Sequence, residues 1–414
     1  MTYLNAKKYI AALSLVCEEE RPGARLKGIL SLLGEPQRNL NYLRLTGSNG
    51  KSICAELLLS VYRDSPFLVG YLSPHGKDDP RFSIRIGGEP LSMDQMAELT
   101  NRIRHTLAEE EHAEGHETSL LTRSEFLLCI ALLAFRDAGC SFCLMEGDTL
   151  ATDATRFLHA PFGAVICGTI PPADRKEIRE IRSGIRHGIR EIVSAPQDRD
   201  AYAVISDTCA AIHCRLTVPP RSEIRPLRLT LRATEFSYFG KTYRLGLCGR
   251  FQITNATVVL ETLSMLGRMG YSLSEEQIRE GLAHAHIPCK FEILSVSPTI
   301  IADSTHSPVA IQTVCESMAD FREMIGTSLR LCLPDGELME QYTEVLTGMG
   351  YTLTEALLLS NRTESDGATQ RFAKKKDLIR AALRDLGEEE ILLISGPHAF
   401  TAEIRYEILQ ALGF

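Results

Sequence analysis

A glycine-rich segment near residue 50 carries the clearest indication of chemistry in this 414-residue chain. The segment, Thr46–Ser52, reads Thr-Gly-Ser-Asn-Gly-Lys-Ser and lies between an apolar run and a helix-forming run. In such a loop, glycines let backbone N–H groups converge on phosphate oxygens, and the following helix N-terminus adds its dipole. Lys51 can reach the terminal phosphates, and the Ser52 hydroxyl can ligate Mg²⁺. The residues predicted to hold a nucleotide's phosphates are Gly47, Ser48, Asn49, Gly50, Lys51 and Ser52.

The spacing of this phosphate-binding loop (P-loop) leaves an alternative open. The pattern is GxxGKS, which is shorter than the general GxxxxGKS. A glycine-containing turn between a strand and a helix could carry the same residues without any ligand. The predicted strand–loop–helix context favours the phosphate site.

A second candidate is Glu146, which ends the apolar run 141–146. This run is predicted to be a core strand. An ionised carboxylate at such a position is costly unless it is paired or bound to a metal ion. We therefore expect Glu146 to have either a cationic partner or a metal.

The elements that must position these residues follow an α/β pattern, since short β-rich runs alternate with helical runs almost throughout the chain. A strand at 43–46 and a helix from about 51 to 62 flank the P-loop. Around 225–247 the pattern changes to three short β-like runs. The turn Phe239-Gly240-Lys241 suggests a hairpin there, and we expect a small antiparallel sheet attached to the first domain.

The β/α alternation restarts near residue 299, which predicts a second, doubly wound domain. A chain of this length is expected to form two domains. We place them at residues 1–296 and 297–414. The predicted fold class is α/β: a P-loop parallel-sheet domain with a small antiparallel subsheet, followed by a Rossmann-like C-terminal domain.

Composition narrows the class of protein. Hydrophobic residues make up 44% and charged residues 24%, which is ordinary for a globular protein. The net charge of −8 argues against nucleic acid as a partner, because binding to its backbone depends on Lys and Arg. No apolar stretch is long enough to cross a bilayer, and the first residues lack a signal-peptide pattern. We expect a cytoplasmic monomer with no membrane partner.

The 12 cysteines lie mostly in apolar runs, which predicts small buried side chains and no disulfide framework. Cys140 and Cys143 have CxxC spacing, but no second pair completes a zinc site. The pair also runs into the predicted strand at 141–146. A metal or redox role for this pair is therefore disfavoured.

Several segments resemble the folylpolyglutamate and dihydrofolate synthases, a branch of the Mur ligase superfamily. They occur in family order over nearly the whole chain, and their joint order is highly specific. The matching segments are Pro22–Leu26, Leu33–Gln37, Gly47–Ser52, Gly70–His75, Arg81–Ser92, Ser124–Leu127, Gly249–Ala256, Pro288–Glu292 and Asp303–Pro308.

The resemblance implies an ATP-dependent ligase that joins a carboxylate to an amine through an acyl phosphate. ATP and Mg²⁺ would be the cofactors, and a folate-like acid and glutamate the substrates. Lys51 and Glu146 would be catalytic, and Ser52 and Glu146 would ligate the metal. Ser73, His75 and Arg81 lie on segments expected to line the substrate side, although an ordinary polar loop is an equally open alternative.

The resemblance also implies that Asn255, Lys290, Asp303 and His306 hold the nucleotide. Asp303 could accept hydrogen bonds from ribose hydroxyls. Without the family motif, the favoured role for Asp303 would be a cap for the predicted helix 308–322. Lys290 replaces the family's arginine, which keeps the charge but loses the bidentate geometry.

The chain departs from the family where a second Mg²⁺ would bind. No Asp-His pair occurs in residues 165–174, and Arg182 stands where the family has a lysine that becomes carbamylated. Arg182 could supply positive charge directly and is a third catalytic candidate. Residues 174–190 could instead form a charged, solvated helix. The departure motivates an alternative hypothesis, a nucleotide-binding paralogue whose ligase activity is lost or changed.

Overall fold

The computed structural model describes residues 1–14, 24–47, 49–73, 79–114, 121–147, 155, 158–170, 174–305, 308–336, 338–360, 365–366 and 368–413. The helices are α1 Tyr3–Ala12, α2 Ala24–Leu32, α3 Lys51–Tyr62, α4 Met93–Glu114, α5 Arg123–Ala138, α6 Arg175–Gly184, α7 Arg199–Ala211, α8 Phe251–Arg268, α9 Glu275–Ala283, α10 Pro308–Ala319, α11 Arg322–Ile325, α12 Leu338–Gly348, α13 Lys375–Leu383 and α14 His398–Leu412.

The strands are β1 Tyr42–Thr46, β2 Val69–Leu72, β3 Ile84–Ile86, β4 Glu89–Pro90, β5 Phe142–Glu146, β6 Gly163–Ile166, β7 Glu191–Ser194, β8 Arg215–Thr217, β9 Ile224–Leu229, β10 Thr234–Tyr238, β11 Lys241–Leu245, β12 Glu292–Val296, β13 Thr299–Asp303, β14 Ser328–Pro334, β15 Thr352–Leu359, β16 Ser365–Asp366, β17 Thr369–Phe372 and β18 Glu390–Ser395.

The first sheet has the strand order β4-β3-β2-β5-β1-β6-β7-β8. Strands β2, β5, β1, β6, β7 and β8 are parallel, and β3 and β4 extend the β2 edge in antiparallel fashion. Every residue of β1 and β5 is buried, as expected for central strands of a parallel sheet covered on both faces. Because β1 lies between β5 and β6, the loops that follow these three strands emerge side by side at one edge.

The helices pack on this sheet through apolar faces. Residues of α1, α2, α4 and α5 form one core cluster, and residues of α6 and α7 form another with β6 and β7. Helix α5 shows why its sequence forms a well-defined helix. Thr122 and Glu125 make a reciprocal capping box at its start, and Gly139 ends it with φ 69°.

The second large sheet has the order β12-β13-β18-β14-β15-β17-β16. Its strands β13, β18, β14, β15 and β17 are parallel, whereas β12 and β16 pair antiparallel at the two edges. Helices α10 and α12 pack in one apolar cluster and α13 and α14 in another. This is the predicted doubly wound arrangement, with a mixed sheet.

Backbone contacts divide the chain into two compact units. One comprises residues 1–221 and 255–281, and the other comprises 222–254 and 282–414. The three-stranded sheet β11-β10-β9 therefore groups with the second unit, whereas the sequence pattern predicts the first. Leu231 and Cys248 explain this, because they share an apolar cluster with Phe291 and Ile301. The boundary at residues 296/297 stays a prediction about domains; it falls in the turn between β12 and β13.

The predicted fold class is confirmed: a parallel-sheet N-terminal part is followed by a second α/β sheet. The sequence did not predict the elements β3, β4, β7, α7, β8, β12, α11, β16 and β17. None of the helices in the described segments is both long and apolar enough to span a bilayer.

Candidate active site

The P-loop follows β1 directly and ends where α3 begins at Lys51. Gly47 has a φ of 113°, and a Cβ atom there would lie 2.2 Å from the carbonyl oxygen of Cys167. Cys167 follows β6, and its N–H donates to the carbonyl of Thr46 at 2.8 Å. Gly47 is therefore required both by its backbone conformation and by the close approach of the neighbouring strand.

Asn255 lies against the second glycine of the loop. Gly50 has a φ of 81°, and a Cβ atom there would lie 2.9 Å from Asn255 Oδ1. Asn255 is buried, with 7% of its surface exposed. The structure thus brings this predicted nucleotide-binding residue to the P-loop, although about 200 positions separate the two in the sequence.

The two polar residues that open α3 lie at the loop. Lys51 donates from Nζ to the carbonyl of Gly47 at 2.6 Å, so its ammonium group lies over the loop. Ser52 is half-buried in the first helical turn, and Asn49 is exposed. Ser48 lies outside the described residues.

Glu146 occupies the end of β5, beside the P-loop. Its neighbour in register on β1 is Leu45, one residue before the last residue of that strand. Only 5% of Glu146 is exposed. Tyr71 donates its hydroxyl to Oε1 at 2.8 Å, and Ser73 donates to Oε2 at 2.7 Å. Each carboxylate oxygen of Glu146 thus accepts one hydrogen bond from the protein.

This donor set fits a hard divalent cation. Mg²⁺ is bound in proteins by one or two carboxylates together with phosphate oxygens and waters, and a hydroxyl can complete the set. Glu146 supplies the buried carboxylate at the sheet edge, and Ser52 supplies the hydroxyl on α3. The residues present therefore fit the predicted Mg²⁺ site.

Tyr71 was not singled out by sequence analysis, although it lies in a segment that resembles the family. Burial raises the pKa of Tyr71 well above its ordinary value, and the negative charge of Glu146 adds to this. The hydroxyl therefore remains a hydrogen-bond donor. The guanidinium of Arg85 lies 4.6 Å from the ring centroid of Tyr71, and Arg85 forms an ion pair with Glu56 of α3.

The predicted substrate-side residues lie in different surroundings. Ser73 is buried and bonded to Glu146. Arg81 lies in the short 3₁₀ turn before β3 and pairs with Asp79, with Nη2–Oδ2 at 2.9 Å. Its guanidinium lies over the rings of Tyr3 and Phe82. His75 lies outside the described residues.

In the second unit, Lys290 lies between two residues with left-handed backbone. Cys289 has a φ of 58° and Phe291 a φ of 50°, which is uncommon for residues with a side chain. The carbonyl of Cys289 accepts from the N–H of Ser304 at 2.8 Å, which ties this segment to the end of β13. Lys290 itself is half-buried.

Asp303 is the last residue of β13 and lies beside the Lys290 segment. Its Oδ2 accepts from the N–H of Phe291 at 2.7 Å, and its Oδ1 accepts from the hydroxyl of Thr305. A ribose hydroxyl would therefore share one of these oxygens with a protein donor. Because α10 begins only at Pro308, Asp303 is not its N-cap. His306 lies outside the described residues.

Glu292, two residues after Lys290, also holds this segment in place through hydrogen bonds of its carboxylate. It accepts from Arg405 Nε at 2.6 Å, from His286 Nε2 at 2.9 Å and from the N–H of Cys289 at 2.9 Å. Burial alone would raise the pKa of Glu292, but these hydrogen bonds and the charge of Arg405 outweigh it and lower the pKa to about 2. Sequence reasoning missed this cluster because Arg405 is more than 100 residues away.

Arg182 lies on α6, which extends from Arg175 to Gly184. Its side chain is exposed, whereas Ile181 and Gly184 on the same helix are buried. Helix α6 corresponds to the first part of the predicted charged helix at 174–190 and ends at Gly184. A catalytic role for Arg182 stays a prediction.

Comparisons with known proteins bear on this site. No protein-family model matches the chain. A folylpolyglutamate synthase of Lacticaseibacillus casei is 27% identical over 309 residues, covering 69% of this chain and 70% of that protein. A dihydrofolate synthase/folylpolyglutamate synthase of Bacillus subtilis is 22% identical over 433 residues, covering 93% and 94%.

A probable bifunctional folylpolyglutamate synthase/dihydropteroate synthase of Haloferax volcanii is 26% identical over 331 residues, which are 73% of this chain. The match spans only 37% of that longer protein. A similar protein of Halobacterium salinarum is likewise covered over 37% of its length.

Solved structures show the same fold over the whole chain. A complex of folylpolyglutamate synthase with AMPPCP and folate has a TM-score of 0.81 at 19% identity, covering 99% of this chain and 100% of that one. A Thermotoga maritima folylpolyglutamate synthase has a TM-score of 0.80 at 22% identity, covering 99% and 96%. The predicted resemblance is confirmed, because the chain is similar in sequence to the folylpolyglutamate and dihydrofolate synthases and has the fold of the folylpolyglutamate synthase structures.

Proposed function

We propose that the chain is an ATP-dependent ligase that adds an amino acid, glutamate, to a folate-like carboxylate through an acyl phosphate. The observation that carries the proposal is the P-loop and the buried Glu146 carboxylate at one edge of the same sheet. The activities for which the relatives are named, and the AMPPCP and folate bound in a similar structure, support it. We further propose that the protein acts as a cytoplasmic monomer on small-molecule substrates.

In the proposed reaction, each step is assigned to particular residues of this chain. The P-loop backbone and Lys51 bind the phosphates of ATP, and Lys51 offsets the charge that develops on the transferred phosphoryl group. Glu146 and Ser52 would hold Mg²⁺, and that ion would neutralise further phosphoryl charge. The substrate carboxylate attacks the γ-phosphate to give an acyl phosphate and ADP. The amine of glutamate then displaces phosphate from the acyl carbon.

Other residues are proposed to bind the nucleotide or the acid. Asn255 lies at the P-loop, and Lys290 and Asp303 belong to one hydrogen-bonded segment in the second unit. These contacts favour nucleotide-binding roles for the three residues, and Ser48 and His306 remain predicted members of that set. Ser73, His75 and Arg81 remain the predicted substrate-side residues, with Ser73 also bonded to Glu146.

Release of ADP and phosphate tests this function. Purified protein is given ATP, Mg²⁺, glutamate and either reduced folate or dihydropteroate. We expect turnover that requires both organic substrates and that falls at least about 100-fold in Lys51→Ala, since the phosphates lose their main cation. Lys27→Ala is the matched control, because Lys27 is an exposed lysine on α2 in the same unit.

A nucleotide-binding paralogue without ligase activity is the second candidate. The observation that favours it is Arg182, an exposed arginine where the family's carbamylated lysine would be, together with the missing Asp-His pair. ATP binding by calorimetry without turnover on any acid and amine pair would favour this candidate over the ligase.

A further inference from the structure

The carboxylate of Glu146 is held by donors that reach it from one neighbouring strand. We propose that Tyr71 is a positioning residue that orients Glu146 for metal binding, and that the ion pair between Glu56 and Arg85 holds Tyr71 in place. This inference rests on the proposed function only in taking Glu146 as a metal ligand.

The geometry of β2 makes the Tyr71 hydroxyl a fixed donor. Tyr71 lies in β2 and Ser73 directly follows the strand, two positions further on, so both side chains reach Glu146 from the same side. Tyr71 donates to Oε1 of Glu146 and Ser73 donates to Oε2. Tyr71 has only 2% of its surface exposed, so water does not compete for its hydroxyl. Each oxygen of Glu146 thus has one lone pair directed by the protein, which sets the direction of the others.

Arg85 holds the ring of Tyr71. The two residues are partners in register on the antiparallel strands β2 and β3. The guanidinium lies 4.6 Å from the ring centroid, within the range of a cation–π contact. Glu56 pairs with this guanidinium, and both side chains are largely buried. The pair therefore fixes the cation over the ring face.

Glu56 connects these contacts to the P-loop helix. It lies on α3, the helix that begins with Lys51 and Ser52. A chain of side-chain contacts thus runs from α3 through Glu56, Arg85 and Tyr71 to Glu146. Ser52 and Glu146, the two proposed metal ligands, are thereby connected by one set of side-chain contacts and by helix α3. Supporting residues of this kind typically change metal affinity about 10- to 100-fold when they are removed.

Tyr71→Phe and Tyr62→Phe form a matched pair of variants. Both tyrosines are 2% exposed in the same unit, and each hydroxyl donates a hydrogen bond, buried for Tyr71 and partly buried for Tyr62. Tyr62 donates at 2.7 Å to the backbone oxygen of Tyr271, at the opposite end of α3 from Lys51. Phenylalanine keeps the ring in both cases. The variants therefore lose the same group, but only one of them loses a contact to Glu146.

The full chain is saturated with the non-hydrolysable analogue AMPPCP and titrated with Mn²⁺. Binding is measured as the decrease in the electron paramagnetic resonance signal of free Mn²⁺. Mn²⁺ prefers oxygen ligands as Mg²⁺ does. We expect Tyr71→Phe to weaken Mn²⁺ binding about 10- to 100-fold and Tyr62→Phe to leave it unchanged. Glu56→Gln should weaken it in the same direction by a smaller factor.

The outcomes separate the inference from the proposed function. Equal Mn²⁺ affinity in Tyr71→Phe and wild type would overturn the positioning role while leaving the metal site intact. Unchanged affinity in Glu56→Gln would overturn the part assigned to the Glu56–Arg85 pair. Failure of the wild-type protein to bind Mn²⁺ with the nucleotide would overturn the metal site itself, and with it both the inference and the proposed mechanism.

Discussion

At the scale of single residues, the P-loop depends on positions where a side chain cannot fit. A Cβ atom on Gly47 would meet the Cys167 carbonyl, whereas one on Gly88, which also has a positive φ of 91°, would have nothing within 4 Å. Gly47→Ala and Gly88→Ala therefore share a backbone strain of about 1–2 kcal/mol. Only the first also displaces the loop.

We expect Gly47→Ala to weaken binding of an ATP analogue at least about 10-fold, because the displaced N–H groups no longer converge on the phosphates. Gly88→Ala should bind the nucleotide as the wild type does, and its urea midpoint should fall less than that of Gly47→Ala, because it has the backbone strain without the clash. Calorimetric titration of both variants checks this. Equal nucleotide affinity in the two variants would show that the close approach to Cys167 is not what shapes the loop.

Glu292 predicts a pH-dependent contribution to stability. Its pKa is about 2 in the folded chain against an ordinary 4.5, so the carboxylate stabilises the fold above pH 4.5. This contribution is lost as the pH falls from about 4.5 towards 2. The shift corresponds to about 2 kcal/mol at pH 7 once solvent screening is allowed for.

Urea unfolding of Glu292→Gln should accordingly show a deficit of about 2 kcal/mol at pH 7 that shrinks as the pH is lowered below 4.5. Glu388→Gln, an exposed position, should show no deficit at either pH. A deficit for Glu292→Gln that stays constant with pH would mean that its carboxylate charge is not the source of the stabilisation.

Residue types and spacing could predict Lys51, the glycines and Glu146, because these are local motifs with a known chemical use. They could not predict Tyr71 as the donor to Glu146 or Arg405 as the partner of Glu292. Both pairs depend on which strands and helices become neighbours, and a single sequence does not contain that information. Long-range partners of buried carboxylates are therefore the part of the site that needed the structure.

At the scale of elements, sequence was most informative where periodicity and caps agree. Helix α5 is an example, because its capping box at Thr122 and Glu125 and its final glycine, Gly139, are readable in the sequence. Strand β8 and helix α7 were missed: β8 has only 3 residues, and α7 buries only Ala201, Ile205 and Cys209. Short or weakly apolar elements acquire their stability from neighbours, so their own sequences mark them poorly.

Helix α13 gives a prediction about how an element is held to its sheet. Arg330 of β14 donates to three carbonyls at the C-terminal end of α13, at 2.8–3.1 Å. It also pairs with Glu355 at 3.1 Å and with Glu390 at 3.2 Å. Because Arg330 is buried, its removal would leave the carboxylates of Glu355 and Glu390 without their cation in a partly buried environment.

We expect Arg330→Met to destabilise the protein by about 3–5 kcal/mol, the usual cost of breaking a buried ion pair. Arg380→Met is the control, because Arg380 lies on α13 and forms an exposed ion pair with Asp377. This substitution should lower the free energy of unfolding by less than about 1 kcal/mol. Urea titration of the two variants measures the difference. Similar costs would indicate that the Arg330 cluster does not anchor α13.

At the scale of the whole molecule, the alternation of strands and helices was enough to predict two α/β parts, and both are present. The grouping of their segments was not predictable, because the three-stranded sheet is attached through Leu231, between β9 and β10, and Cys248, after β11, which look like ordinary apolar residues. Strand β12 was missed for a related reason. It is the antiparallel edge partner of β13, so its role appears only when the hairpin is formed.

The predicted boundary at 296/297 can be tested against the contacts around β12. A fragment 297–414 lacks β12 and leaves the fully buried strand β13 as an open sheet edge, which favours aggregation. It also removes Glu292, the partner of Arg405. A fragment 282–414 keeps both, while both fragments lack the three-stranded sheet equally.

We therefore expect the fragment 282–414 to be the more soluble of the two and to unfold at a higher urea concentration. The same fragment with Glu292→Gln separates the two causes, since it keeps β12 but loses the charge that faces Arg405. A urea midpoint between those of the two fragments would mean that β12 and the Glu292–Arg405 pair each contribute to the difference in stability. If 297–414 were as stable as 282–414, residues 297–414 would be a self-sufficient domain and the predicted boundary would stand.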